Sequence, residues 1–140
     1  MSGPKFFLWK ESFTLGIPMV DAQHQMYFDM LNQLYEGVVK GAEASALARA
    51  HADIRSYAAK HFADEEHFLS AVGYPHLAEH ACQHRKFLER VEAAQSARPD
   101  APATLAFMKE WMLQHILGTD RRYEEWMTAR RQQRASGTQR

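Results

Sequence analysis

The sequence has few of the features that mark secreted, membrane or nucleic-acid-binding proteins. It holds a single cysteine, Cys82, so no internal disulfide can form, which is typical of a reducing compartment. No apolar run approaches the length of a membrane span, and the first residues lack the regions of a signal peptide. Basic and acidic side chains number 17 each, without the basic excess of a nucleic-acid or membrane-surface binder. We therefore expect a cytoplasmic protein that binds neither nucleic acid nor membranes.

The spacing of apolar residues predicts an all-α domain. A chain of 140 residues with 46% hydrophobic side chains is long enough for one core. Apolar residues recur every three or four positions in four segments, which begin near residues 21, 43, 76 and 103. Asp21 is the expected N-cap of the first segment. The pattern predicts an antiparallel up-and-down four-helix bundle over residues 1–130, with an irregular N-terminal arm at 1–20 and a polar, disordered tail at 131–140.

Seven polar residues interrupt the apolar faces of these four helices. Two pairs stand four residues apart and so share a helix face, and the other three lie on the first and fourth helices. Counting from each turn at about 1.5 Å per residue places all seven at one level of the bundle. The seven residues are His24, His61, Glu65, His80, His84, His115 and Asp120.

A buried layer of five imidazoles and two carboxylates predicts a metal centre. Polar groups left unpaired inside a bundle each cost several kcal/mol, on the order of 2–7. Seven ligands exceed what one ion needs, whereas two octahedral ions that share both carboxylates and one bridging oxygen would leave a single open position. Such a centre can bind a small molecule. Histidine and carboxylate ligands accept iron, manganese and zinc alike, so the ligand types leave the metal open.

The motifs resemble those of bacterial hemerythrins. The arm from Trp9 to Ile17 resembles the family's entry to the first helix, which then carries Val20-Asp21-Ala-Gln23-His24. The remaining motifs are His61-Phe62-Ala-Asp-Glu65, His80-Ala-Cys-Gln-His84 and His115-Ile-Leu-Gly-Thr-Asp120. The resemblance covers residues 9 to about 127. A relative of this family, myohemerythrin, is an up-and-down four-helix bundle, as expected for this chain.

The resemblance implies a non-haem di-iron centre that binds dioxygen reversibly, for storage, delivery or buffering, without turnover. His80, His84 and His115 would hold one iron, and His24 and His61 the other. Glu65 and Asp120 would bridge the two irons together with an oxo or hydroxo group. Dioxygen is then the small-molecule partner, no residue is catalytic, and a protein partner cannot be named.

An apolar pocket is expected beside the open position, because water and anions promote the loss of bound dioxygen. Its candidate residues lie next to the ligands or one turn away from them. They are Tyr27, Phe62, Trp111, Met112 and Ile116. Tyr27 departs from the aliphatic residue expected there, and its hydroxyl could contact a bound ligand or speed autoxidation.

Other functions remain open from the sequence. The same centre could serve as an oxidase or peroxidase, in nitric-oxide chemistry, or as an oxygen or redox sensor. Two other metal sites are disfavoured, because no glutamate is followed three residues later by histidine and no His-Glu-x-x-His motif occurs. His51, His67 and His76 do not fit the layer and are interpreted as surface or supporting residues. Asp64 and Glu66 are interpreted as part of a solvated face.

Overall fold

The regular structure of the chain is helical throughout the part that is described. The computed structural model describes residues 6–96 and 101–137. A short 3-10 turn at Glu11–Phe13 precedes the long helices. These are α1 (Pro18–Val39), α2 (Ala44–Val72), α3 (Leu77–Ser96), α4 (Ala101–Gln114) and α5 (Arg121–Gly137), with a π-helical segment (His115–Asp120) between the last two.

The helices form the predicted four-helix bundle. Helix α1 packs against α2 and α4, and α3 packs against the same two helices. Gln114 and Arg121 keep right-handed helical backbone angles, so α4, the π segment and α5 form one continuous fourth helix. The all-α prediction is therefore confirmed, with an irregularity inside the fourth helix that periodicity did not reveal.

The first helix begins earlier than predicted. Its N-cap is Ile17, and Pro18 occupies the first turn, where the missing proline N–H is not needed. Asp21 lies inside the helix, so its assignment as the N-cap was wrong. Its carboxylate instead accepts hydrogen bonds from the backbone N–H groups of Leu15 (2.8 Å) and Gly16 (3.0 Å). Asp21 thus ties the N-terminal arm to the helix that follows it.

The N-terminal arm packs on the bundle through its aromatic side chains. Phe7 stacks on Phe28 of α1 with ring centroids 3.9 Å apart, and Phe13 packs against Phe7. The Asn32 amide accepts from the Phe7 N–H at 2.8 Å and donates to the Phe7 carbonyl at 2.9 Å. The arm is therefore held by both stacking and a two-point backbone contact.

The C-terminal segment differs from the expected disordered tail. Helix α5 continues through Gly137, so residues 131–137 are helical, while 138–140 lie outside the described residues. Arginine, glutamine and alanine are good helix formers, and they extend a helix that the bundle has already nucleated. Polarity alone was therefore a poor guide to order in this segment.

The core consists of two apolar clusters with the polar layer between them. On α1, α2 and the fourth helix the candidate residues lie along the chain between members of the two clusters. On α3 they lie between Leu77, which packs against the smaller cluster, and Phe87 of the larger one. The larger cluster includes Tyr27, Phe28, Leu31, Ile54, Ala58, Phe62, Phe87, Val91, Met108, Met112 and Ile116. The smaller cluster consists of Leu15, Val20, Leu69, Tyr74 and Tyr123.

Helix α2 ends at a glycine whose backbone conformation other residues avoid. Gly73 has φ 74°, and the N–H groups of Gly73 and Tyr74 bond back to the Ser70 and Leu69 carbonyls. We predict that Gly73→Ala lowers the free energy of unfolding by about 1 kcal/mol, because a Cβ disfavours the left-handed region. Chemical denaturation of the metal-free protein measures this change.

Gly118→Ala provides the matched control for that substitution. Gly118 has negative φ, and a Cβ there would meet no atom within 4 Å. Alanine should therefore leave stability unchanged or raise it. Equal effects of the two substitutions would contradict the role of the left-handed cap.

Candidate metal centre

The structure brings all seven predicted polar residues into one buried layer. Their side chains come from α1, α2, α3 and the π segment, and none is more than 3% exposed. Because the layer lies between two apolar clusters, bulk water does not reach these groups. Their hydrogen bonds and charges must be balanced within the layer or by a bound ion.

The donor atoms of the layer form two adjacent groups that share a carboxylate. Each group offers one donor atom per residue, and within a group these atoms lie within 4.8 Å of one another. The first group is Glu65, His80, His84, His115 and Asp120, and the second is His24, His61 and Glu65. The arrangement provides two neighbouring positions for cations, with Glu65 between them.

Asp120 also faces both groups. Its Oδ1 lies 3.0 Å from His80 Nε2 and 3.1 Å from His115 Nε2. Its Oδ2 lies 3.3 Å from His24 Nε2, in the second group. Two carboxylates therefore stand where bridging ligands of a dinuclear centre would be needed.

The π-helical segment explains how Asp120 reaches this layer. In an α-helix, a residue five positions after His115 is rotated about 140° away from it. In π-helical geometry the backbone bonds run from i to i+5, which brings residues five apart to the same side. Since the segment spans His115–Asp120, the backbone itself turns Asp120 inward. A spacing of five residues does not fit one face of an α-helix, and periodicity alone does not reveal that a π-helical segment resolves this.

Unpaired polar atoms in the layer fit the binding of cations. Of nine buried side-chain nitrogen and oxygen atoms without a hydrogen-bonding partner in the described ranges, six belong to the seven residues. They include the Nε2 atoms of His24 and His61 and both oxygens of Asp120. Leaving such atoms unsatisfied costs about 1–3 kcal/mol each. Coordination to metal ions would satisfy the two Nε2 atoms and the two Asp120 oxygens.

The electrostatics of the layer favour positive charge between the carboxylates. Burial and Asp120 push the pKa of Glu65 upward, but the contacts of its carboxylate with His80 and His84 outweigh them and hold it well below its usual value. Burial also opposes ionisation of Asp120, yet the charge of the adjacent His115 keeps its pKa low. Both carboxylates are therefore anionic at neutral pH.

Two of the histidines around Glu65, His61 and His80, have pKa values shifted in opposite directions. Burial lowers the pKa of His61 to about 4, so its imidazole is neutral and has a lone pair to offer. Burial acts the same way on His80, but its close contacts with Asp120 and Glu65 raise its pKa to about 9. The raised pKa of His80 indicates that the two carboxylates favour a positive charge at this position.

Three of the histidines are oriented by side chains outside the layer. In each, Nδ1 faces an oxygen acceptor, which fixes the proton there and turns Nε2 inward. The pairs are His61 with Gln23 Oε1 at 2.7 Å, His84 with Glu66 Oε2 at 2.9 Å, and His115 with Gln83 Oε1 at 3.1 Å. Spacing along the chain does not reveal these acceptors, because they come from neighbouring helices.

Two acidic residues interpreted as solvated have specific partners. Glu66 accepts the hydrogen bond from His84, and Asp64 accepts one from the Gln23 amide at 2.8 Å. His51 also differs from the expectation of a surface or supporting residue. It is 6% exposed, buried away from the layer, and burial lowers its pKa. Its place three residues before Ile54, on the apolar face of α2, was the signal for this.

The five predicted pocket residues lie on one side of the layer, in or against the larger apolar cluster. Four of them are buried and Trp111 is half-buried at the edge. Phe62 stacks on His84 with centroids 3.9 Å apart, and Trp111 stacks on His115 at 4.5 Å. This side of the layer is therefore faced with aromatic and aliphatic groups.

The Tyr27 hydroxyl is hydrogen-bonded to the backbone of α4. It donates a hydrogen bond to the Met108 carbonyl of α4 at 3.1 Å, and burial raises its pKa well above the usual value. The side chain is 1% exposed. Its hydroxyl proton therefore has a partner within the bundle.

A four-helix bundle with a buried layer of histidines and carboxylates is typical of helical proteins that bind cations in the bundle core. Residues 15–127 match the hemerythrin HHE cation binding domain. The chain belongs to the hemerythrin family, as its motifs predicted.

Relatives and solved structures agree with this assignment. The chain is 32% identical to a myohemerythrin of Riftia pachyptila, with 86% of this chain and 93% of the relative aligned. It is 31% identical to a bacteriohemerythrin of Clostridium acetobutylicum, with 84% and 98% aligned. A crystal structure of wild-type hemerythrin shares the fold, with a TM-score of 0.76 at 24% identity over 86% of this chain and 96% of that one.

The helices in the described ranges lack the combination of length and apolar character that a membrane span requires.

Tyr123 contacts Glu65 of the layer, which the spacing of residues along the chain does not reveal. Its hydroxyl donates to Glu65 Oε2 at 3.0 Å, and burial together with the nearby carboxylates raises its pKa. We predict that Tyr123→Phe lowers the free energy of unfolding by about 1.5–3 kcal/mol, because a buried charged acceptor loses its donor. Tyr35→Phe is the control, since Tyr35 is half-buried and stacks on Phe6 of the arm. Equal stabilities of the two variants by chemical denaturation would contradict this role.

Proposed function

We propose that this protein binds dioxygen reversibly at a centre of two iron ions and does not turn it over. The observation that carries the proposal is the pair of donor groups joined by Glu65 and flanked by Asp120, within a hemerythrin-family chain. Following the family pattern, His80, His84 and His115 hold one iron. His24 and His61 would hold the other, and an oxo or hydroxo group would complete the bridge.

The donor set suits iron chemically. Imidazole and carboxylate are ligands that iron accepts, and two anionic carboxylates partly neutralise two cations in a dry site. Bound iron supplies the electrons that dioxygen takes up on binding and gives back on release. The protein's part is to hold, orient and shield that centre.

Residues around the layer set the orientation of the ligands. Gln23, Glu66 and Gln83 fix three imidazoles with Nε2 directed inward, and Tyr123 holds one oxygen of Glu65. Removing a supporting contact of this kind typically lowers metal affinity or activity by about 10–100-fold. The centre is therefore built from two concentric sets of side chains rather than from the seven alone.

The apolar side of the layer favours binding over catalysis. Phe62, Met112 and Ile116 are buried, and Trp111 stacks on His115, so apolar and aromatic groups line this side. Tyr27 is a titratable side chain within this apolar cluster. Its raised pKa and its bond to the backbone make it a poor proton donor. Oxidase or peroxidase turnover would need such a donor.

The experiment that tests this function is metal analysis with the visible spectrum under argon and in air. We expect two irons per chain, little colour in the reduced protein, and a band that appears in air and disappears under argon. Steady consumption of dioxygen with an added reductant would instead indicate an enzyme. A change of oligomeric state on oxygenation, without a persistent band, would indicate a sensor.

Glu65→Gln tests the bridging assignment. The amide has nearly the same shape but no charge, and it cannot bridge two cations as a carboxylate does. We expect iron content to fall to one ion per chain or fewer, measured by elemental analysis after reconstitution. Glu79→Gln, on the exposed surface of α3, should keep the full iron content. Two irons per chain in Glu65→Gln would contradict the bridge.

Tyr27→Phe tests whether the hydroxyl acts on the bound ligand. Because the hydroxyl is bonded to the Met108 carbonyl, we expect the decay rate of the oxygenated protein to change by less than about twofold. Met112→Gln should speed decay, because its amide places polar groups that can hold a water molecule on the apolar side. A large change for Tyr27→Phe, followed by the decay of the visible band in air, would show that the hydroxyl contacts the ligand.

A further inference from the structure

The C-terminal part of the fourth helix carries an unbalanced positive charge. Of 17 basic side chains, four lie in residues 126–140, where the sequence has no acidic side chain. The other 13 share residues 1–125 with all 17 acidic side chains. The zero net charge of the chain therefore hides a basic end, which differs in sign from the rest of the molecule.

Three exposed arginines of α5 form this basic end. Arg130, Arg131 and Arg134 have no ion pair with a carboxylate anywhere in residues 6–96 and 101–137. Arginine side chains bind carboxylates through two parallel hydrogen bonds, so these guanidinium groups have binding capacity that the chain does not use.

Two apolar hollows adjoin these arginines. The first has a volume of about 350 Å³ and lies between the end of α2 and α5, with Ala71, Val72, Trp126 and Met127 as its apolar lining. The second, of about 200 Å³, lies on the other side of Met127. Its apolar residues are Leu15, Ile17, Pro18 and Phe68. Met127 and Arg131 line both hollows, so we call them together the α5 groove.

One wall of the groove is already fixed in place. Arg130 Nη1 donates to the Val72 carbonyl at 3.0 Å, at the end of α2, and its guanidinium lies 5.1 Å from the Trp126 ring. The remaining guanidinium N–H groups of Arg130 stay available. A ligand would therefore meet a preformed donor next to an aromatic surface, which lowers the ordering cost of binding.

We propose that the α5 groove binds an acidic peptide segment of a partner protein. Carboxylates of the segment pair with Arg130, Arg131 and Arg134, and two of its apolar side chains enter the two hollows. Glu124 lines the second hollow, 3.9 Å from Arg121, so the acidic end of the segment lies toward Arg134.

Two features favour a peptide over other anionic partners. Phosphates of a nucleic acid would use the arginines but leave the apolar hollows empty. A membrane surface needs protruding apolar side chains, whereas Trp126 and Met127 are only half-exposed within a concave surface. A peptide with anchors a turn apart uses both the charge and the shape, as in helix-in-groove recognition.

Isothermal titration calorimetry of the iron-loaded full chain tests the proposal. The probe is a short capped peptide of glutamate and alanine with two leucines spaced four residues apart. We expect saturable binding that weakens by about tenfold or more in the variant Arg130→Gln, Arg131→Gln, Arg134→Gln. The control variant Lys40→Gln, Arg49→Gln, Lys86→Gln removes the same charge from exposed positions elsewhere and should bind as the parent does.

A second variant tests the hollows without touching any arginine. Ala71 is exposed at the rim of the first hollow, so Ala71→Phe should fill it, leave the fold intact and weaken binding by a similar factor. Absence of binding to the parent chain, or equal binding by all variants, would overturn the proposal. Binding of anionic lipid vesicles or DNA in preference to the peptide would overturn it too. So would sedimentation showing that a second copy occupies the groove.

Discussion

Seven polar side chains lie in the middle of the bundle, where water cannot satisfy their hydrogen bonds. Most of the structure is arranged to satisfy them in other ways. Two buried carboxylates and five imidazoles balance one another in part through contacts such as Glu65 with His80. The balance is incomplete, because both oxygens of Asp120 lack a hydrogen-bonding partner. Two cations in the layer would complete it. Metal binding would therefore also stabilise the fold, because it satisfies the buried polar groups.

That constraint accounts for features far from the layer. The π segment exists where His115 and Asp120 must face the same side, although π-helical turns are uncommon in helices generally. Outside the layer, acceptors such as Gln23 and Glu66 lie where they fix imidazole orientation. The aromatic arm and the larger apolar cluster then keep one side of the layer dry.

The four helices and the seven residues were predictable because both rest on spacing along the chain. His61 and Glu65 share a face at any helix of normal pitch, and counting from turns sets their height. Contacts between helices could not be read in this way. The Tyr123 bond to Glu65 joins residues 58 apart, and the π segment depends on a backbone choice that His115 and Asp120 reveal only as a mismatch. The helix over residues 131–137 does not follow from polarity, because polar residues that favour a helix look the same as a disordered tail in composition.

The most direct test of a dinuclear centre is anomalous X-ray diffraction of iron-loaded crystals at the iron absorption edge. We predict two peaks about 3.5–4 Å apart, the spacing typical of dinuclear sites, with Glu65 and Asp120 between them. His24 and His61 should face one peak, and the other three histidines the second. A single peak, or peaks outside the layer, would contradict a two-iron centre at these residues.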